Sequence, residues 1–128
     1  MTLNLTQHPA TAEQLAVGVR DVADRAALSA MLTFDSLPSP LTVWERALEV
    51  AALAAAELAG ETPGKRVAMI GGAPFLMAPL EAALRERQIA AVYAFSVRAS
   101  SEETQPDGSV RKVAMFRHAG FVGGSVAG

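Results

Sequence analysis

Cysteine is absent from the 128 residues of this chain, which removes disulfides, thiolate zinc sites, iron–sulfur clusters and a cysteine nucleophile together. Histidine is scarce: His8 and His118 are the two present, no pair of ligands sits at helical i, i+4 spacing, and neither a metal nor another cofactor is expected. Long apolar runs are also missing. The longest, from Val50 to Ala56, is Ala-rich and far short of the roughly 20 residues needed to span a bilayer, so no membrane partner is expected. No polybasic run accompanies the formal net charge of -2, which argues against long nucleic acid as a ligand. A small anion stays within reach, because a few well-placed Arg, Lys and His side chains bind phosphate without shifting the overall balance. The first nine residues, ending His8-Pro9, lack a basic region followed by an apolar stretch, so no secretory signal is read there and the cytoplasm is the expected compartment. Paired carboxylates at catalytic spacing and a G-x-S-x-G elbow are missing as well.

What is present is an ordinary globular composition, 51% hydrophobic and 19% charged, in a length that suits one domain. The expected organisation is a single α/β domain over residues 1–122 and a flexible tail over 123–128. Thr2 to Thr6 reads as a short strand with Leu3 and Leu5 on one face. Thr11 to Gln14 has the form of a capping box opening a short helix that Gly18 closes. Val19 to Val22 reads as a second strand and Asp24 to Leu32 as a second helix. Ser39-Pro40 starts a long helix from Leu41 to Ala59, on which Leu41, Trp44, Leu48, Ala51 and Leu58 form the expected buried stripe, Trp44 as a packing residue. Lys65 to Ile70 is a short apolar run suited to a strand buried in a parallel sheet. A helix from Phe75 to Arg87 follows, which accommodates Pro79 only if that residue lies in the first turn. Ile89 to Phe95 begins the next strand. This order predicts a Rossmann-like α/β sandwich: a mostly parallel sheet with an antiparallel hairpin at its C-terminal edge.

The hairpin is the most informative segment. Between Val92 and Thr104 the alternation puts Ser96, Arg98, Ser100 and Glu102 on one face and Tyr93, Phe95 and Val97 on the other. If Pro106-Asp107-Gly108 forms a three-residue loop with Gly108 left-handed, Gln105 faces Ser109, Glu102 faces Lys112 and Ser96 faces His118. A loop one residue longer would turn the second strand over and break the set.

In an open α/β sheet, ligands gather beyond the carboxyl ends of the strands. Thr6-Gln7-His8-Pro9, Gly71-Gly72-Ala73-Pro74 and Ser96-Val97-Arg98-Ala99-Ser100 all fall there. Gly71 and Gly72 let backbone pass close to a ligand, with a helix N-terminus beyond them, although a double glycine also makes a plain tight turn. His8 can serve as general acid or base, or simply end a strand. Arg98, with small neighbours, suits a phosphate through its planar fork. Glu102 opposite Lys112 has the plain reading of a surface ion pair. Ser96 and Ser100 can equally be edge residues facing water.

The segments Leu5-Thr6-Gln7-His8-Pro9-Ala10, Met69-Ile70-Gly71-Gly72-Ala73-Pro74, Ala94-Phe95-Ser96-Val97-Arg98 and Phe116-Arg117-His118-Ala119-Gly120-Phe121 together resemble the small Rossmann-like proteins of type III CRISPR immunity. These include the CARF domains and standalone ring nucleases. The resemblance implies a homodimer that binds cyclic oligoadenylate and cleaves it without metal, a ribose 2′-hydroxyl attacking the adjacent phosphorus. It implies His8 as acid or base, Arg98 and Lys112 as charge stabilisers, and Ser96, Ser100 and the Gly71-Gly72 amides as positioning groups, with His118 as an alternative acid. Thr6, Gln7, Ala73 and Glu102 complete the expected ligand-binding set. Two further readings stand beside the phosphodiesterase: a non-catalytic nucleotide sensor, and an adaptor whose polar hairpin face meets another protein.

Overall fold

The computed structural model describes residues 1–123. Strands β1 (Thr2–Asn4), β2 (Val19–Asp21), β3 (Val67–Met69), β4 (Ala90–Thr104) and β5 (Val110–Gly123) form one sheet in the order β2-β1-β3-β4-β5. The first four are parallel and β5 runs antiparallel to β4, so the α/β class and the mostly parallel sheet with a C-terminal hairpin are as expected. Helices α1 (Ala12–Ala16), α2 (Arg25–Leu32), α3 (Pro40–Glu57) and α4 (Pro74–Glu86) connect the strands, with a 3-10 turn at Pro63–Lys65 before β3. The expected flexible tail, residues 124–128, lies outside the described residues, while Gly123 belongs to β5 opposite Val92.

Leu3, Leu5, Ala68, Ile70 and Tyr93 face the side of the sheet on which α2, α3 and α4 bury Leu28, Val50, Ala54, Leu80 and Leu84. The opposite face carries a smaller cluster of Val19, Met69 and Val92, partly covered by Ala10 and Phe121. The caps follow the sequence. Thr11 and Gln14 exchange both capping-box bonds, Asp24 and Ser39 cap α2 and α3, and Pro40 takes the first turn of α3.

Two helix expectations are corrected. The buried face of α3 is Val43, Ala47, Val50, Ala51 and Ala54, whereas Leu41, Trp44 and Leu48 are 68%, 44% and 48% exposed. Small side chains let α3 approach α4 closely, and that contact selects the Ala-rich stripe over the one with the largest residues. Trp44 instead walls an open groove of about 440 Å³ with Leu37, Pro38, Pro40, Val43, Phe75 and Pro79. Pro79 lies in the interior of α4, because the helix begins at Pro74, and it costs the helix the bond that a residue 79 N–H would have made to the Phe75 carbonyl.

The hairpin register is the expected one. Gly108 sits at φ 86°, the Gln105 N–H donates to the Ser109 carbonyl at 2.7 Å, Glu102 faces Lys112 and Ser96 faces His118. A bulge between Phe95 and Ser96 shifts the register nearer the body, leaving Phe95 opposite Gly120. Beyond it the two strands continue as a ribbon whose residues are mostly exposed on both faces.

Candidate functional site

The loops after β1 and β3 diverge. From β1 the chain passes through α1 to β2 on one side, and from β3 through α4 to β4 on the other, so the sheet has its topological switch point between these two strands. An open pocket of about 470 Å³ lies there, lined by Thr6, Gln7, His8, Pro9, Thr11, Gln14, Met69, Ile70, Gly71, Gly72, Tyr93 and Ala94. Among the described residues no carboxylate, Lys or Arg lines it.

Thr6, Gln7, His8, Thr11 and Gln14 give the pocket polar side chains in a wall that is otherwise mostly apolar. Gly71 passes 3.5 Å from the Thr6 methyl if a Cβ is placed on it, and Gly72 holds φ 138°, a backbone state that a side chain would strain. Among the described residues no protein group accepts from the Gly71 and Gly72 amides. The Phe75 amide, at the start of α4, has no intrahelical acceptor, and Ala73 at the N-cap offers no side chain in its place. Gln14, also in the lining, accepts from the Thr11 N–H through its amide oxygen, and its NH2 group has no partner among the described residues.

The β1 loop is held from below by residues that sequence reasoning passed over. Asn4, buried at 1% exposure, donates to the His8 carbonyl and to Asp21 Oδ1, both at 2.8 Å, and accepts from the Thr6 N–H and hydroxyl at 2.9 and 2.7 Å. Asp21 also accepts from Ala10 N–H at 2.9 Å and faces Arg25 at 3.5 Å. Burial pushes the Asp21 carboxyl upward, but the Asn4 amide, the Ala10 N–H and the Arg25 guanidinium outweigh it and hold the group below the ordinary Asp value. Tyr93 donates its hydroxyl to Glu81 at 2.8 Å, and burial together with that carboxylate raises its pKa to about 12. The one signal for this network in the sequence is a polar residue between Leu3 and Leu5 in a strand core.

The expected site is thus divided in space. Thr6, Gln7, His8, Gly71 and Gly72 meet in the pocket, with Ala73 next to it as the α4 cap. Arg98, Ser100, Glu102 and Lys112 do not reach it: they stand on the exposed ribbon, where Arg98 faces Phe116 and Ser100 faces Ala114. They belong to the far part of β4 and β5, past the Phe95/Ser96 bulge, where both strands are mostly exposed. Among the described residues the ion pairs are Arg20–Glu57 and Arg25–Asp21, so Glu102 and Lys112 face each other without bonding. Ser96 and His118 sit at the bulge. The His118 N–H donates to Glu13 at 3.3 Å, its ring meets Phe121 edge-on at 4.9 Å, and its Nδ1 is buried with no partner among the described residues. Among those residues no group of three His, Asp or Glu side chains gathers around one point, and no helix is long and apolar enough to cross a membrane.

Fold and pocket together define a small α/β protein with a mostly parallel sheet and an open pocket at its switch point. The chain belongs to the family described as the Uncharacterized protein MJ1673 family, whose model matches residues 1–122. No curated protein and no solved structure matches it.

Proposed function

We propose that the rim pocket binds a phosphodiester of a cyclic oligoadenylate and that the protein opens the ring as a metal-independent phosphodiesterase. The observation that supports this reading is the lining itself: the side chains of Thr6, Gln7, His8, Thr11 and Gln14 and the backbone of Gly71 and Gly72 border a space that, among the described residues, has no carboxylate to repel an anion. In the reaction the ribose 2′-oxygen attacks phosphorus, its proton passes to solvent or a base, and the P–O5′ bond breaks to leave a 2′,3′-cyclic phosphate and a 5′-hydroxyl. His8, in the pocket wall, is the group placed to protonate the departing 5′-oxygen, a role worth roughly 10²–10⁴ in rate. The Gly71-Gly72 amides would meet the charge on phosphorus. Arg98 and Lys112 join this chemistry only if a second copy lays its ribbon across the pocket, so the reading includes a homodimer.

One observation favours a second reading, a sensor that binds the same ligand without cutting it. Among the described residues no Lys or Arg lines the pocket, and His8 is its one imidazole.

The test is incubation of the purified protein with a panel of cyclic oligoadenylates in EDTA, products being resolved by chromatography. Linear products with 2′,3′-cyclic phosphate ends support cleavage. A thermal shift without turnover supports the sensor, and no response to any ring removes both. His8→Ala and Arg98→Ala should each slow turnover strongly, and Glu45→Ala, on the outer face of α3, should leave it unchanged.

A further inference from the structure

We infer that Asn4 is the positioning residue of the rim pocket, pinning the Thr6–Ala10 loop in the shape that presents His8; this rests on the pocket being the site proposed above. Asn4 is the last residue of β1, and its neighbours Leu3 and Leu5 are fully buried on the opposite face. It is the buried polar or charged side chain among the described residues, in a place where a β-branched apolar residue would suit the strand better. An amide there is tolerated only if all of its hydrogen-bonding capacity is met. It is met in full, and three of its four bonds go to the loop: the His8 carbonyl, the Thr6 N–H and the Thr6 hydroxyl.

The fourth bond, to Asp21, extends the clamp. Asp21 holds Ala10 N–H, and Arg25, ion-paired with Asp21, donates to the Gln7 carbonyl at 2.8 Å. Thr6, Gln7, His8 and Ala10 are each tied down, and Pro9 between them has its φ fixed by its own ring. Sheet formation does not require this. The ladder of β1 closes at Asn4 opposite Asp21 and Met69, and Leu5 N–H already bonds the Met69 carbonyl. The His8 imidazole itself has no hydrogen-bond partner among the described residues, so its reach into the pocket is set by its backbone, and its backbone by Asn4. The rim is therefore organised before any ligand arrives.

The experiment compares wild type with Asn4→Val and Asp21→Asn by thermal unfolding, amide hydrogen exchange and steady-state kinetics on cyclic tetra-adenylate. Asn4→Val keeps strand propensity and burial but has no bonds for the loop. Within residues 6–10, exchange at the hydrogen-bonded Thr6 and Ala10 amides should rise at least about tenfold in that variant while β3 and α4 keep their protection, the signature of local opening. Where wild type turns the probe over, kcat should fall about tenfold or more with KM within about threefold, as for a group that misplaces a reacting residue. Asp21→Asn retains an acceptor for Asn4 and should lie between the two. Unchanged exchange over 6–10, or an equal rise throughout the sheet, would overturn the inference. If Asn4→Val does not fold, the same criterion applies to Asp21→Asn. A wild type that cleaves nothing removes the proposed reaction, while the exchange pattern still decides the role of Asn4.

Discussion

Two exposed segments leave the same sheet, and they differ in how they are held. The Thr6–Ala10 loop is short, carries no regular structure, and is fixed by a buried amide, a carboxylate and a guanidinium. The ribbon beyond Phe95 is paired strand to strand from Ser96 to Thr104, yet Phe116 is 70% exposed and Val97 49%. Regular hydrogen bonding thus does not mark the rigid segment here; attachment to buried groups does. A two-stranded ribbon without a packed face has little stability of its own in water. The loop is equipped to hold a reactive group in place, and the ribbon to move or to be covered.

The largest expected effect separates body from ribbon. Leu80→Ala, at a fully buried position on α4, should lower unfolding free energy by about 2–5 kcal/mol, whereas Val97→Ala should stay within about 0.5 kcal/mol. Urea denaturation measures both, and a ribbon substitution as costly as the core one would mean that the ribbon is covered in solution.

Acid should loosen the pinned side. Asp21 is held below its ordinary pKa as described, and Glu57 is too, first by Ala23 N–H at 2.7 Å and then by Arg20 at 2.9 Å. Such carboxylates add stability that is fully present above their unfolded values, near about pH 4, and that drains away as pH falls through the lower folded values. Unfolding free energy should therefore drop below about pH 4, and Asp21→Asn and Glu57→Gln should each flatten that part of the profile. An unchanged profile in both variants would show that neither carboxylate is bound as described.

Trp44 reports on the apolar groove. Its partial exposure predicts red-shifted emission that acrylamide quenches readily, and shielded, blue-shifted emission would show another molecule seated between Leu37 and Phe75. The smallest effect concerns Tyr93, whose phenol should resist ionisation until about pH 12 by ultraviolet titration and drop toward the ordinary value in Glu81→Gln.

Much of the fold was legible because its signals are local. The Thr11–Gln14 capping box, Ser39-Pro40 and the Pro106-Asp107-Gly108 loop each act within a few residues, and the loop alone determined the pairing of Glu102 with Lys112 and of Ser96 with His118. What was not legible depends on partners far along the chain. The face α3 buries follows from how near α4 can come, which favours Ala47 and Ala54 over Leu41 and Leu48. Of the site, the rim residues Thr6, Gln7, His8, Gly71 and Gly72 were readable as strand-end loops, and they do meet. Arg98 and Lys112 share a ribbon face with Ser96, yet a shared face says nothing of distance from the rim. Asn4 and Asp21 come from different strands, so only register brings them together.

The most direct measurement is a ¹H–¹⁵N NMR titration of the protein with cyclic tetra-adenylate. Saturable shifts at the amides of Gln7, His8, Gly71 and Gly72 are the predicted result. Shifts confined to the ribbon, or none at millimolar ligand, would contradict a phosphate site at the switch point of this sheet.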